Sequence, residues 1–346
     1  MFTINGRKIG TNFPPYIVAE LSANHNGSLE RAKSSIRAAK NAGVDAVKIQ
    51  TYNADSMTID SSRKDFIIDE GLWKGYKLYD LYEEAHTPYE WHKDLFDFAK
   101  DIGVTIFSSP FDEGAADLLE ELDAPAYKIA SFEIIDLPLI AHVAKKNKPM
   151  LMSTGMASEK EISEALETAR INRCDSILLF HCISSYPAPT KEANLRQILN
   201  LGEKFGVSVG LSDHTLGNIC SVSAISIGAC AIEKHFTLSR KDKGPDSEFS
   251  IEPDELKKLV LETNTAWEAL GIKSFKRPKA EKNSFKFRRS IYFVSDLKAG
   301  DKVNEKNIRR IRPGYGLPPK YFKEIVGKHL KKDVKRGDSV QWDHFN

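Results

Sequence analysis

The sequence predicts an α/β chain: a (β/α)8 TIM barrel over residues 1–271, then a small, mainly β domain over 286–346. Two observations predict the barrel. Between about residue 15 and residue 271, eight short apolar runs alternate with amphipathic segments, which is the rhythm of repeated strand–helix units. No GxGxxG turn follows the first run, so the dinucleotide-binding form of the doubly wound sheet is disfavoured. A third observation predicts the second domain: past Gly271 the composition changes to a basic stretch and then to short runs separated by charged turns.

In order, the runs are "YIVAEL", "DAVKIQ", "VTIFSS", "AYKIAS", "PMLMST", "SILLFHC", "VSVGLS" and "CAIEKHF". Each is rich in Val, Ile, Leu, Phe or Tyr and bounded by polar or glycine residues, as parallel strands buried on both faces are. After the first, "GSLERAKSSIRAAKNAG" spaces Leu29, Ala32, Ile36 and Ala39 for one helix face and offers Gly43 as a stop. After the second comes a long interruption, 53–91, holding Trp73, Tyr76, Tyr79 and Tyr82. An insertion there lies on the catalytic face of a barrel, as a substrate wall or as a surface excursion with its own small core. After the eighth, Leu256, Val260, Thr263, Trp267 and Leu270 make one face, with Pro253 near the start and Gly271 at the end. The basic segment 272–285 reads as a solvated linker. Beyond it, "SIYFV" and the turns "KAGD" and "KRGD" mark the compact second domain.

A chain of 346 residues buries a substantial core without staples. A net charge of +2 provides no global field for nucleic acid or membrane. No apolar run reaches membrane-spanning length, and the first residues lack a secretory h-region. Cys174, Cys182, Cys220 and Cys230 form no CxxC pair, and the last three have apolar neighbours. Buried reduced thiols in a cytoplasmic protein are expected.

Barrel active sites form where strands deliver their C-terminal residues. Those positions hold Glu20, Lys48 with Gln50, Ser108 with Ser109, Lys128 with Ser131 and Glu133, Ser153, His181, Ser212-Asp213-His214, and His235. A lysine inside an apolar run needs an anionic partner or a pocket, because burying a bare ammonium is costly. Two such lysines among several serines form a seat for phosphate and carboxylate. His214 and His235 end consecutive runs, so they lie on neighbouring barrel strands, either as packing residues or as ligands of one cation. Imidazole suits Mn, Fe, Co or Zn, with Glu20 adding oxygen directly or through water. A metal, an anion cradle and carboxylates without a hydrolase-type nucleophile favour metal-assisted carbonyl chemistry.

"AELSANHNGSLERA", "VKIQTY", "SSPFD", "YKIASFE", "STGMAS", "GLSDHT" and "EKHFT" resemble the sialic acid synthase family, in order and across the barrel. "FRRSIYFVSDLKAGD" and "RRIRPGYGLPPKY" resemble its antifreeze-like C-terminal domain, while "GLWKGYKLYDLYEEAHTPYEWH" and "GPDSEFSIEPDE" resemble the pseudaminic acid synthases within it. The resemblance implies a transferase that condenses phosphoenolpyruvate with 2,4-diacetamido-2,4,6-trideoxy-L-altrose and water, giving pseudaminic acid and phosphate by C–O cleavage. Carried over by motif, His214 and His235 hold a divalent metal, Mn2+ or Mg2+ with Co2+ as a further candidate. Lys48, Ser109, Lys128, Ser131, Ser153 and Ser212 hold phosphoenolpyruvate. Gln50, Glu133, Tyr186 and Asp246 face the sugar, and Glu20 acts on water or a sugar hydroxyl. The family also implies a domain-exchanged homodimer in which Arg312 crosses to the partner barrel and reaches the sugar's N-acyl group. The same chemistry on another sugar would make an N-acetylneuraminate or legionaminate synthase. A barrel aldolase with a Schiff base on Lys48 or Lys128, and a carbohydrate-binding protein that uses the tail, are the rivals from other classes.

Overall fold

All eight apolar runs are strands in the computed structural model, which describes residues 2–345. A short antiparallel hairpin, β1 (Phe2–Ile4) and β2 (Arg7–Ile9), comes first. Then follow β3 (Tyr16–Glu20), β4 (Ala46–Thr51), β5 (Thr105–Pro110), β6 (Tyr127–Ile129), β7 (Met150–Ser153), β8 (Ile177–Cys182), β9 (Ser208–Ser212) and β10 (Ala231–His235). They close into a parallel barrel in which β10 pairs with β3. The helices are α1 (Leu29–Ala42), α2 (Ala54–Met57), α3 (Leu78–Ala85), α4 (Tyr89–Ile102), α5 (Glu113–Glu121), α6 (Leu137–Ala144), α7 (Glu159–Ile171), α8 (Gln197–Phe205), α9 (Ile219–Ser226) and α10 (Pro253–Leu270).

Local chemistry sets the ends. Ser28 caps α1 by accepting from the Arg31 N–H at 3.3 Å, and Gly43 closes the helix at a φ of 93°. The expected face of α10 packs on the barrel: Leu256 and Thr263 are buried, with Val260 and Trp267 partly buried against the core; Leu259 joins them, and Leu270, in the last turn, is exposed. Thr263 tolerates the core because its hydroxyl donates to the Leu259 carbonyl at 2.7 Å.

Strand residues alternate between two layers. Val47, Ile49, Ile106, Tyr127, Ile129, Met150, Met152, Leu179, Val209, Leu211 and Ile232 pack toward the helices. Val18, Ala46, Phe107, Leu151, Leu178, Phe180 and Ala231 fill the barrel interior, with Ile4 and Ile9 of the hairpin joining that cluster. Phe180 takes so much room that β9 carries Gly210 beside it: a Cβ there would lie 2.6 Å from the ring and 2.7 Å from the Ala231 carbonyl oxygen. The C-terminal third of the barrel is therefore left to polar side chains standing above an apolar floor.

A second unit begins after Gly271. Part of the segment read as a linker is ordered, since Lys279–Phe287 forms a 3-10 helix. Strands β11 (Ser290–Phe293) and β12 (Ile308–Ile311) pair antiparallel, and α11 (Phe322–Ile325) follows. Their core is Ile291, Phe293, Val303, Ile308, Leu317, Ile325, Leu330, Val334 and Val340. The two charged turns use one device: the Asp301 carboxylate accepts from the Lys298 N–H, and that of Asp338 from the Lys335 N–H, each at 2.7 Å. Among the described residues, no helix is long and apolar enough to cross a membrane.

Candidate active site

Lys48 and Lys128 are buried in their apolar runs, and each has the anion it requires. Lys48 on β4 lies 2.8 Å from Glu20 of β3 and 3.5 Å from Glu233 of β10. Lys128 on β6 lies 3.1 Å from the same Glu233 oxygen, which also accepts from the Ser212 hydroxyl at 3.1 Å. Burial alone would raise the Glu233 carboxyl, yet Lys128 and Lys48 hold it well below the usual range. For Glu20, burial prevails and raises the carboxyl despite Lys48. Burial lowers the Lys128 ammonium in spite of Glu233, whereas Glu20 and Glu233 overcome burial and raise that of Lys48.

Glu233 lies inside the run "CAIEKHF" and is not among the strand-end candidates of the sequence. Alternation within "AIEKHF" would have found it, since a residue two places before an inward His235 points inward too. The same parity removes two candidates. Ser108 faces the helix layer, hydrogen-bonded to Thr51 and to the Ile49 carbonyl, and His181 pairs at 2.8 Å with the Ala193 carbonyl behind the sheet.

His214 follows β9 by two residues and His235 ends β10; their ring centres stand 5.4 Å apart, near enough for both to reach one cation. The His214 Nδ1 bonds the Ile183 carbonyl at 2.9 Å, so the ring's other nitrogen is left to act as a ligand. Among the described residues, the buried Nδ1 of His235 has no hydrogen-bond partner; it lies 3.9 Å from the Asp246 carboxylate. Burial pushes His214 down to about 4 and His235 well below its ordinary value, so both are neutral imidazoles near pH 7. Neutral, close rings with an orphaned nitrogen suit a divalent cation. Tyr186 packs on the pair, 4.4 Å from His214 and 6.1 Å from His235 between ring centres, with Phe249 beside it.

The remaining candidates surround this centre. Gln50 donates to Glu20 at 2.9 Å and to Ser22 at 3.0 Å, and Lys48 reaches Ser109 at 3.4 Å. Ser153 ends β7 on the inward parity of Leu151 and is buried. Cys182 is a buried free thiol, as expected, and Ser131 lies 2.9 Å from its sulfur. Both converge with Ser184 on Gly155, where a Cβ would come 2.2 Å from the Ser184 hydroxyl and 2.8 Å from each of the others. Two hydroxyls, a thiol and bare backbone thus meet in a space that any side chain at 155 would fill, and such a group could hold an anion. Burial pushes Glu133 up to about 7 and also raises Asp246, whose carboxylate accepts from the Ala23 N–H at 3.4 Å.

Residues 35–275 match the NeuB family. The chain belongs to this family. Residues 288–346 match the SAF domain. The NeuB-family chain is 44% identical to a pseudaminic acid synthase of Campylobacter jejuni, over 95% of this chain and 96% of that one. It is 45% identical to the pseudaminic acid synthase of Helicobacter pylori, over 95% and 97%. With an N,N'-diacetyllegionaminic acid synthase of Legionella pneumophila the identity is 35%, over 99% and 98%. Among solved structures, the N-acetylneuraminic acid (sialic acid) synthetase of Leptospira borgpetersenii, in complex with citrate, matches with a TM-score of 0.74 and 31% identity, over 83% of this chain and 95% of that one.

In the SAF unit, Arg312 is exposed, in a depression with Ser284, Phe287, Arg288, Arg289 and Pro319. On the NeuB-family barrel, the insertion after β4 bends back over the mouth. The Trp73 indole donates to the Pro245 carbonyl at 3.1 Å, and its ring lies 6.1 Å from that of Tyr186. Together Leu72, Trp73 and Tyr76 wall a cleft of about 480 Å3 whose other side is Arg240, Lys243 and Glu248. Of the two readings of the insertion, a wall beside the site matches this arrangement.

Proposed function

We propose that this NeuB-family enzyme condenses phosphoenolpyruvate with 2,4-diacetamido-2,4,6-trideoxy-L-altrose and water, giving pseudaminic acid and inorganic phosphate. Identity of 44–45% with pseudaminic acid synthases, against 35–36% with legionaminic acid synthases, supports this sugar over its relatives. The chemistry rests on one observation: two neutral imidazoles share a barrel mouth with two lysines and converging hydroxyls.

Lys48 and Lys128, with Ser109, Ser131, Ser153 and Ser212, hold the phosphate and carboxylate of phosphoenolpyruvate through charge-assisted hydrogen bonds. Glu233 keeps both ammonium groups in place before the anion arrives, which limits reorganisation on binding. His214 and His235 hold a divalent cation, Mn2+ or Mg2+ before Co2+, which supplies Lewis-acid polarisation of the sugar aldehyde. Gln50, Glu133, Tyr186 and Asp246 orient the open-chain sugar. C3 of the enolpyruvate bonds to the aldehyde carbon, and the aldehyde oxygen takes a proton. Water then adds at C2 and gives up one proton; as the C2–O bond to phosphate breaks, the C2 hydroxyl passes its remaining proton to the departing phosphate and leaves the 2-keto acid. Glu20, whose carboxyl burial raises, exchanges the proton with water or a sugar hydroxyl. The enzyme acts in the cytoplasm as a domain-exchanged homodimer, with the partner subunit's Arg312 on the N-acyl carbonyl.

Phosphate release from phosphoenolpyruvate, with and without chelator, tests this reading against three sugars: the trideoxy-altrose, N-acetylmannosamine and the legionaminic precursor. Chelator-sensitive release with the first alone is expected. Release only with another sugar overturns the sugar assignment, and no release with any overturns the chemistry. The lowered ammonium of Lys128 also suits a Schiff-base lyase; borohydride trapping of a keto acid on that lysine would favour this second reading.

A further inference from the structure

Behind the two histidines, on the side of the sheet turned away from the site, lies an ion pair with no part in the steps above. Asp213 precedes His214 and Lys234 precedes His235, so alternation sends this pair outward wherever the histidines point inward. The two side chains meet at 3.0 Å, each only 1% exposed. One Asp213 oxygen accepts from the Thr215 N–H at 2.9 Å and its hydroxyl at 2.8 Å; the other accepts from Lys234 and, at 2.6 Å, from Ser221 of α9. Lys234 also donates to the Thr215 carbonyl at 2.7 Å and to the Asp213 carbonyl at 3.4 Å. All three acceptors of this ammonium thus lie on residues 213–215, the turn whose middle residue is His214.

We propose that Asp213 and Lys234 form a positioning latch that fixes the distance between His214 and His235 and thereby sets the affinity for the divalent cation. The inference rests on the reading of those histidines as metal ligands. Stability alone does not account for the latch, because a well-packed apolar pair in a buried ion pair's place is commonly as stable or more so. Its geometry accounts for it better. One ammonium, carried by the residue before one ligand, clamps the backbone on both sides of the other. The Asp213 N–H donates to the Glu233 carbonyl at 2.8 Å, and the His214 carbonyl accepts from Ala188 at 2.9 Å, so the turn is held from the strand and the opposing loop as well. With the latch gone, the 213–215 turn keeps those outer ties and the His214 Nδ1 bond to the Ile183 carbonyl, but loses the clamp that joins it to the strand residue before His235.

The test is Mn2+ binding to chelator-stripped, full-length protein, measured by titration calorimetry in the wild type and in Asp213→Asn, Lys234→Met and Ser221→Ala. Outer-shell partners of metal ligands typically contribute about 10- to 100-fold in affinity, and a loss of that order is expected for the first two variants. Ser221→Ala removes one hydrogen bond and is expected to weaken binding by about fivefold. Excess Mn2+ should restore kcat in each while the phosphoenolpyruvate KM stays as it was. Folded variants that melt earlier yet bind Mn2+ like the wild type overturn the latch and leave the metal reading intact. A wild type that binds no Mn2+ overturns both. If Asp213→Asn and Lys234→Met fail to fold, Ser221→Ala decides, and an affinity equal to wild type counts against the latch.

Discussion

Replacing Glu233 with Gln removes the carboxylate shared by two buried lysines while keeping the shape of the side chain. The consequences differ for the two partners. Lys48 keeps Glu20 at 2.8 Å, whereas Lys128 is left with the face of Phe180, whose ring centre is 5.2 Å from its ammonium. Breaking a buried pair by removing one partner costs about 3–5 kcal/mol, and with one lysine still paired the lower figure applies. For a domain of this size that corresponds to a fall in melting temperature of about 6 °C. The direction with pH follows from Lys128. Its ammonium is already lowered by burial, and without Glu233 it falls further. A cation that the fold disfavours weakens it most while charged, so the variant regains stability as pH rises through the folded value toward the unfolded ~10.4. Thermal melts by circular dichroism should therefore show a gap from wild type that narrows as pH rises toward the unfolded lysine value of ~10.4. Adding Lys128→Met to Glu233→Gln should recover much of the loss, because an apolar pair tolerates burial. A Glu233→Gln protein that melts with the wild type at neutral pH would refute the compensation assigned to this carboxylate.

His214→Ala or His235→Ala should abolish metal-stimulated turnover while circular dichroism stays that of the wild type; full activity of either in chelator rejects the ligand assignment. Burial raises Glu133 to about 7, so its contribution to stability is full below about 4.3 and is lost as pH rises through that folded value. Glu133→Gln should flatten that slope in melts and weaken sugar use; an unchanged slope removes the carboxyl as its source. Arg312→Ala should raise the sugar KM by about tenfold or more, the order of a lost charge-assisted hydrogen bond, with the phosphoenolpyruvate KM unchanged. An unchanged sugar KM excludes it from the site.

Much of the barrel was legible because each strand is buried on both faces and so stands out as a continuous apolar run. Lys48 and Lys128 were legible for the opposite reason, as charges that such runs cannot hold alone. What the linear reading lost was direction. Ser108 and His181 sit at strand ends yet face the helices, and Glu233, inside its strand, faces the site. Period-two alternation separates these cases, provided each strand's register is known. Contacts between distant segments were beyond reach for another reason: Trp73 meets a carbonyl 172 residues away, and nothing local to either segment encodes the meeting. The burial of Leu259 in α10, beside the face that the spacing marks, belongs here too, since it is set by what the helix packs against.

The Trp73–Pro245 bond binds two loops of the rim into one arch. A protein engineer who wished to retune this enzyme for another sugar would gain little by grafting residues 53–88 from a relative by themselves. The transplanted loop would lose its keystone, and the native 240–250 loop would face a stranger. The arch is one cassette in two pieces, to be exchanged together or left alone.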